Sequence, residues 1–465
     1  MPAEARAPPL GTALQSLVVF ACLALVAIAQ EIIGRAQRRW RGAPLTFASI
    51  WERHVYARAK DCWTHVVETS AGSRITVDGR AGVLNFGSYN YLGLEAASAK
   101  EICAVHALAK PVVVGAENYE SVSRQAVEQL EKRVAAFLGV ESACVFASGF
   151  ATNASSLRTI LDARSDAETL GRGAPSAHST LVLSDEHSHA SLAAGRRLAG
   201  CTMRVFRHND VKHLEALLCE AMLARDVPRR IVVVTEALFS MEASIAPLAE
   251  IVALKRRYGF YLWLDEAHSI GALGRRGRGL CERAGVSPRD VDVLVGTFSK
   301  AFSAVGGYVA GTHAIVAAAR RAAARGVPLS AVCCAHVERV LDALEDPLRY
   351  SRLLCSLRSN VRTMRRLLRD AGLRVIGDAD APVVPILIYH PARLVAFQRC
   401  LLERGVAVVV VGYPATGVLY GRARLCVSAA HSAAEIAHAA QVIVGVAREL
   451  GMCYDAAGER SAAPI

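Results

Sequence analysis

The sequence lacks the signatures of several common functions. It contains no zinc-ligand spacing and no stretch of alternating basic and aromatic residues that could stack bases, so we expect no nucleic-acid binding. No internal repeat is present. Charged residues make up 21% of the chain against 53% hydrophobic residues, and a disordered chain would have far less apolar surface. We therefore expect a folded protein, whose net charge of +12 suits anionic lipid or a phosphorylated ligand.

The thirteen cysteines show no disulfide pattern. They are dispersed and odd in number, and several lie in apolar runs, such as Cys144 in SACVF and Cys426 in RLCVSAA. Buried, reduced thiols are expected, as in a cytosolic compartment.

One uncharged run, LGTALQSLVVFACLALVAIA at residues 10–29, lies near the N-terminus. As a helix it is long enough to cross the roughly 30 Å hydrocarbon core of a bilayer. Arg6 alone precedes it, whereas four arginines follow closely: Arg35, Arg38, Arg39 and Arg41. This asymmetry predicts a single span with the downstream chain in the cytosol, and it is the reverse of a signal peptide. A helix lying on the membrane surface is the alternative.

Beyond a basic amphipathic connector, strand-like and helix-like segments alternate, which predicts an α/β fold with a mostly parallel sheet. The pattern changes near residue 345, where a second, smaller α/β domain is expected. The predicted organisation is a membrane anchor (1–42), a connector and N-terminal arm (43–85), a large domain (86–344), a small domain (345–452) and a tail (453–465).

Polar residues follow the apolar strands of the large domain, where ligands collect in parallel sheets. Lys300 follows the strand in VDVLVGTFSK, while Asp265 and His268 follow YLWLDEAHS. A lysine and a carboxylate at one sheet edge suit pyridoxal phosphate, because a buried Asp keeps its ring nitrogen protonated. His268 is then predicted to hydrogen-bond the phenolic oxygen. His189, in SDEHSHASL, is predicted to stack on the ring, with His187 exposed.

A phosphate site is predicted in FASGFATN and in the residues before the lysine. Backbone N–H groups at a helix start, together with hydroxyl groups, offer fixed donors to a dianion. The predicted contacts are Ser148, Gly149, Phe150, Thr297 and Ser299.

Taken in order, the motifs YNYLGL, FASGFATN, SDEHSHASL, LDEAHSIGALG, GTFSKAFSAVGGY and RARLCVSAAHS resemble the α-oxoamine synthases. Within that family the chain is most similar to serine palmitoyltransferase, in its long-chain-base subunit 2 branch, over about Phe86 to Leu450. The resemblance implies a fold-type I pyridoxal-phosphate transferase with a large domain built on a mostly parallel seven-stranded sheet. It also implies a smaller C-terminal domain and a site shared across a dimer interface.

By the same resemblance, Lys300 matches the Schiff-base lysine, Asp265 the pyridinium partner, His268 the neighbouring ring contact and His189 the stacking histidine. Arg424 matches the arginine that receives the amino acid carboxylate, a task suited to its two-pronged donor geometry.

The implied reaction is the decarboxylating condensation of L-serine with palmitoyl-CoA to 3-ketosphinganine, the first step of sphingolipid synthesis. The implied setting is a heterodimer with long-chain-base subunit 1, anchored in membrane lipid of the endoplasmic reticulum with the catalytic domain in the cytosol. Two alternatives stay open: an α-oxoamine synthase that uses glycine, and a non-catalytic subunit or scaffold of the same complex.

Several positions depart from the family pattern. Val127 stands where a histidine is usual, after a segment in which the family has a glycine-rich loop. Ala237 and Ala243 replace glycines, and alanine does not readily take positive φ. The segment VPLSAVCCAH lacks a proline pair, which leaves Ser330 as the expected partner-site phosphate contact. The loop between Leu161 and Thr180 is long.

Overall fold

The structure is a computed structural model that describes residues 7–36, 46–94, 116–161, 180–199, 201–224, 230–323 and 331–453. The described chain divides into two compact units. The first contains Tyr89–Ser240 and Ser244–Leu357. The second contains the residues up to Ser88, the short segment Met241–Ala243, and the chain from Arg358 onward. The domain boundaries expected from the sequence stay a prediction.

A seven-stranded mixed sheet forms the centre of the first unit. Its order is β4-β10-β9-β8-β7-β5-β6, and β10 alone runs antiparallel to its neighbours. The strands are β4 (Ser142–Phe146), β5 (Thr180–Asp185), β6 (Thr202–Phe206), β7 (Arg230–Glu236), β8 (Tyr261–Asp265), β9 (Val293–Thr297) and β10 (Gly307–Gly311). The predicted fold class, with its mostly parallel seven-stranded sheet, is confirmed.

Helices accompany this sheet, as expected for parallel strands that are buried on both faces. Those of the first unit are α3 (Ala116–Leu138), α4 (Gly149–Leu161), α5 (Ala190–Ala199), α6 (Val211–Leu223), α7 (Leu248–Tyr258), α8 (Leu280–Ala284), α9 (His313–Ala323) and α10 (Ala331–Glu345). One core cluster joins Trp263 and Val295 from the sheet with Leu157 from α4 and Leu192 from α5. The packing of α4 against the sheet sets the position of its N-terminus.

The second unit contains two small sheets. Strands β1 (Val67–Ala71), β2 (Arg74–Val77), β3 (Arg80–Asn85) and β12 (Val406–Ala407) form one. Strands β11 (Val383–Leu387), β14 (Arg422–Cys426) and β13 (Val409–Val411) form the other. The helices are α1 (Leu10–Ala36), α2 (Phe47–His54), α12 (Pro391–Glu403) and α13 (Ala433–Glu449), and α11 (Pro347–Asp370) continues from the first unit.

Several local predictions agree with the structure. Ser432 and Glu435 form the expected capping box at the start of α13. Gly139 follows α3 with a φ of 77°, a left-handed conformation that ends the helix. Cys144 and Cys426 are buried.

Helix α1 extends the predicted N-terminal run to 27 residues. Among the described residues it is the one helix long and apolar enough to cross a membrane, with a mean hydropathy of 2.4 in its most apolar window. Much of its surface is exposed and aliphatic, including Leu14, Leu25 and Ile32. Its Glu31 side chain is buried and binds Arg53 at 2.9 Å and His54 at 2.9 Å, so an ionic cluster fastens α1 to α2.

Candidate active site

The polar strand ends of the first unit meet around one cavity of about 350 Å³. Strands β7, β8 and β9 run parallel, so their carboxyl ends lie at the same edge of the sheet. Nine of the ten predicted site residues line this cavity: Ser148, Gly149, Phe150, His189, Asp265, His268, Thr297, Ser299 and Lys300. The tenth, Arg424, lies in the second unit.

Lys300 occupies the tight turn that follows β9. Its Nζ lies 5.6 Å from the centroid of the Tyr89 ring. The backbone N–H of Ser303 donates to the Lys300 carbonyl at 3.0 Å, and Ser303 itself takes a φ of 48°. Left-handed backbone at a non-glycine residue is costly, and such strain is frequent where a functional side chain must be aimed.

Asp265 ends β8 as a buried hydrogen-bond acceptor. Its Oδ2 accepts from Asn153 Nδ2 at 2.6 Å, and its Oδ1 accepts from the backbone N–H of Ala267 at 2.9 Å. Two accepting oxygens are what an ionised carboxylate offers. The side chain therefore suits a positively charged ring nitrogen.

A second buried carboxyl, Glu236, lines the same cavity and is not among the residues predicted from the sequence. Its Oε1 accepts from the backbone N–H of His189 at 2.5 Å. Burial, followed by repulsion from Asp265, raises the pKa of Glu236 well above its usual range, against the opposing effects of the His189 N–H and Lys300. Glu236 therefore resists ionisation beside Asp265.

The two predicted histidines have different surroundings. His268 is buried, and its Nδ1 lies 2.8 Å from the hydroxyl of Tyr91. His189 keeps an exposed face at the cavity, 6.2 Å from the Phe150 ring. His187 was expected to be exposed but is half-buried, because its ring stacks on that of His208 at 4.4 Å.

The predicted phosphate contacts lie where α4 begins. The Oγ of Ser148 accepts from the backbone N–H of Ala151 at 3.5 Å, and the first N–H groups of a helix have no intrahelical acceptor. A Cβ on Gly149 would overlap Thr297 Oγ1 and lie 3.0 Å from Thr297 Cβ. Glycine therefore lets the helix start approach Thr297, whose Oγ1 lies 2.8 Å from Ser299 Oγ.

Arg424 lies on β14 in the second unit, where its Nη1 is 3.6 Å from the Met241 sulfur. The neighbouring Arg422 is buried and pairs with Glu242 at 3.1 Å. Ala243, which follows in the same short segment, has a φ of 53°. The expectation that alanine avoids positive φ is wrong here. The backbone is held in place, since the Ala243 carbonyl accepts from the N–H of Asp378 at 2.8 Å.

Some predicted features fall on residues whose structure is not described. Ser330, the long segment 162–179 and residues 112–115 of the segment before Val127 lie outside the described residues, and from Ala116 onward that segment is helix α3. Val127 itself is half-buried on α3.

Comparison with known proteins identifies the family. The profile of the family described as aminotransferase class I and II matches residues 81–443. Serine palmitoyltransferase 2 of Dictyostelium discoideum is 36% identical over 424 residues, which cover 84% of this chain and 83% of the relative. The chain belongs to the serine palmitoyltransferase family. Long chain base biosynthesis protein 2a of Arabidopsis thaliana is also 36% identical, covering 86% of this chain and 85% of that protein.

Solved structures agree with this assignment. Serine palmitoyltransferase of Sphingomonas wittichii has a TM-score of 0.75 and 27% identity, and the match covers 87% of this chain and 97% of that one. An SPT structure solved with pyridoxal phosphate as the internal aldimine has a TM-score of 0.73 and 25% identity, with 88% and 100% coverage. Serine palmitoyltransferase family members of this fold are pyridoxal-phosphate-dependent acyltransferases, and the protein is an enzyme of this kind.

The residues of the cavity fit pyridoxal phosphate. The cofactor needs a carboxylate for its ring nitrogen, backbone N–H groups for its phosphate and a lysine for its aldehyde. The cavity offers Asp265, the helix start at Gly149 and Lys300 in these places. No group of histidine, cysteine and acidic side chains suited to a metal ion occurs among the described residues.

Proposed function

We propose that the chain is the catalytic subunit that condenses L-serine with palmitoyl-CoA, releasing CoA and carbon dioxide and yielding 3-ketosphinganine. One observation carries this proposal: nine residues from separate strand ends and one helix start, predicted from the sequence, line a single cavity. The names of the relatives support the choice of substrates, since they are serine palmitoyltransferases and long-chain-base biosynthesis proteins.

When bound, pyridoxal phosphate supplies an electron sink for the α-carbon of the amino acid. We assign to Lys300 two roles: it would hold the cofactor through the aldehyde, and its Nζ would accept the proton that leaves the serine α-carbon. Asp265 holds a negative charge for the ring nitrogen. His268, whose Nδ1 faces Tyr91, presents its other nitrogen to the phenolic oxygen, and His189 stacks on the ring.

The remaining assignments concern the two anionic groups of the ligands, the cofactor phosphate and the serine carboxylate. The backbone N–H groups of Gly149 and Phe150, with the hydroxyls of Ser148, Thr297 and Ser299, bind the phosphate. Arg424 binds the serine carboxylate. A new bond then forms between the serine α-carbon and the acyl carbon, and the thioester bond to CoA breaks. The carboxyl group leaves as carbon dioxide, and the α-carbon takes up a proton in its place.

The proposal includes a membrane setting and a partner. Helix α1 anchors the enzyme in the endoplasmic reticulum as a single span, with the catalytic part in the cytosol, and the cluster of Glu31, Arg53 and His54 joins α1 to α2. Long-chain-base subunit 1 is the proposed partner in a heterodimer.

Reconstitution tests this function directly. The full chain, purified in detergent with a first long-chain-base subunit, is given labelled serine or labelled glycine and acyl-CoAs of different length, and the products are weighed by mass spectrometry. We expect 3-ketosphinganine from serine and palmitoyl-CoA. Turnover of glycine alone would indicate another α-oxoamine synthase. If Lys300→Ala yields as much product as the parent chain, the chain is not the catalytic subunit and only the scaffold role remains for it.

A further inference from the structure

Asn153 and Ser191 are buried polar residues that have no role in the proposed reaction. They connect Asp265 with His189 through hydrogen bonds. Asn153 lies within α4 and Ser191 within α5, and they are 4% and 1% exposed. We propose that Asn153 and Ser191 are positioning residues, which hold His189 as a neutral imidazole with its proton on Nε2 and orient the Asp265 carboxylate. This inference rests on the proposed function of the cavity.

The orientation of the Asn153 amide follows from its contacts. Its Nδ2 lies 2.6 Å from Asp265 Oδ2 and 3.2 Å from Ser191 Oγ. Because a carboxylate only accepts, the nearer amide atom must be the NH₂ group. That group has two hydrogens, one for each oxygen.

The direction of the next hydrogen bond is then determined. Ser191 Oγ accepts from Asn153, so its own proton is available to His189 Nδ1, which lies 2.8 Å away. The backbone N–H of Ser191 donates to the same nitrogen at 3.2 Å. With two donors directed at it, Nδ1 is an acceptor and carries no proton. The imidazole proton is therefore on Nε2.

This arrangement opposes protonation of the ring. A cationic imidazole would need a hydrogen on Nδ1, where the hydroxyl and the backbone N–H of Ser191 already point. A neutral His189 adds no positive charge beside a cofactor whose ring nitrogen Asp265 keeps protonated. The same chain of hydrogen bonds fixes one oxygen of Asp265, and the Ala267 N–H fixes the other.

The experiment compares Ser191→Ala, which removes the hydroxyl, with Ser191→Thr, which keeps one. Ser156→Ala is the matched control, because Ser156 is a buried hydroxyl on α4 that donates to its own helix at the Thr152 carbonyl. Nitrogen-15 spectra of histidine-labelled full chain, with cofactor bound, report the protonation state and tautomer of His189 as pH is lowered.

We expect the parent, Ser191→Thr and Ser156→Ala to keep the Nε2 proton alone. In Ser191→Ala the ring should become cationic at a pH about one unit higher, the equivalent of one lost hydrogen bond to the neutral form. The acid limb of the pH profile of kcat/KM should shift to higher pH by the same amount. Asn153→Leu should also speed cofactor release about tenfold, since Asp265 loses a hydrogen bond to a charged group. If Asn153→Leu does not fold, the comparison of Ser191→Ala with Ser191→Thr still tests the inference.

Identical spectra and acid limbs in Ser191→Ala and Ser156→Ala would overturn the inference, as would a parent tautomer with its proton on Nδ1. These outcomes are separate from failure of the proposed function. The visible cofactor band of the parent, and its loss in Lys300→Ala, do not depend on Asn153 or Ser191. A parent without any such band would reject the proposed function itself.

Discussion

Glu236 and Asp265 are register partners on the adjacent parallel strands β7 and β8, so two buried carboxyl groups lie side by side at the edge of the cavity. Two neighbouring carboxyls in a site shielded from water cannot both ionise without large repulsion. Asp265 accepts hydrogen bonds at both oxygens, whereas burial and repulsion from Asp265 raise the pKa of Glu236. We therefore expect Asp265 to be the charged partner of the cofactor and Glu236 to be its neutral neighbour.

Asp265→Asn and Glu236→Gln should consequently have unequal effects, although each replaces a carboxyl by its amide. Loss of the Asp265 charge should weaken cofactor retention at least tenfold, because an ion pair with the ring nitrogen is lost. Glu236→Gln should change it less than about threefold, since a neutral group replaces a neutral one and its oxygen can still accept from the His189 N–H. The fraction of cofactor kept through gel filtration measures both. Equal losses would contradict the assigned charges.

Gly149→Ala should disrupt the start of α4. The added methyl would overlap Thr297, which is buried and cannot move aside, and overpacking of this kind costs about 1–3 kcal/mol. We expect cofactor affinity to fall about tenfold or more, measured by titration of the apoenzyme. Gly445→Ala is the control, because a Cβ at this position in α13 meets no atom within 4 Å, and its affinity should equal that of the parent.

Glu266 should make stability depend on pH. Its carboxylate oxygens accept from the backbone N–H of Leu280 at 3.0 and 2.9 Å, and burial, the largest cause, raises its pKa from 4.5 to about 7. Between these values the native state holds a proton that the unfolded chain has released. Stability is therefore lost as pH rises from about 4.5 to about 7, by roughly 3 to 4 kcal/mol at most.

Glu266→Gln should remove this dependence. The parent's stability relative to the variant should be greatest at pH 5 and smallest at pH 8, as followed by the Tm of both proteins across that range. Parallel Tm curves would show that Glu266 does not titrate in this window.

Charges on the exposed face of α1 should release the protein from membranes. Leu25 and Ile32 are 68% and 64% exposed, and a lysine placed in the hydrocarbon costs about 2.5 to 3.5 kcal/mol. We expect the double variant Leu25→Lys, Ile32→Lys to move from the membrane fraction to the supernatant on centrifugation. Leu223→Lys, at an 87% exposed position on α6, should remain with the membranes. Equal sedimentation of both variants would argue against α1 as the anchor.

Much of the large sheet could be predicted because parallel strands buried on both faces read as continuous apolar runs. The segments LVLSDE, IVVVTE, YLWLDE and VDVLVGTFSK correspond to β5, β7, β8 and β9. Their polar ends indicated which side chains would meet, since such ends share one edge of a parallel sheet. The roles assigned to those residues remain predictions.

The supporting residues were missed for two reasons. Glu236 ends the segment IVVVTE and could have been found by the signal that identified Asp265, but its pairing with Asp265 depends on strand order, which the local pattern does not contain. Asn153 lies inside a helix and reaches Asp265 across 112 residues of sequence only because α4 packs on the sheet. Likewise, nothing local indicated that Tyr91 would face His268.

The attachment site of the cofactor tests the central claim most directly. The full chain, purified with pyridoxal phosphate, is reduced with borohydride, digested and mapped by mass spectrometry. We predict a single pyridoxyl group on the peptide that contains Lys300, and no labelled peptide from Lys300→Ala. A label on a different lysine, or an unlabelled parent chain that nevertheless makes product, would contradict the account.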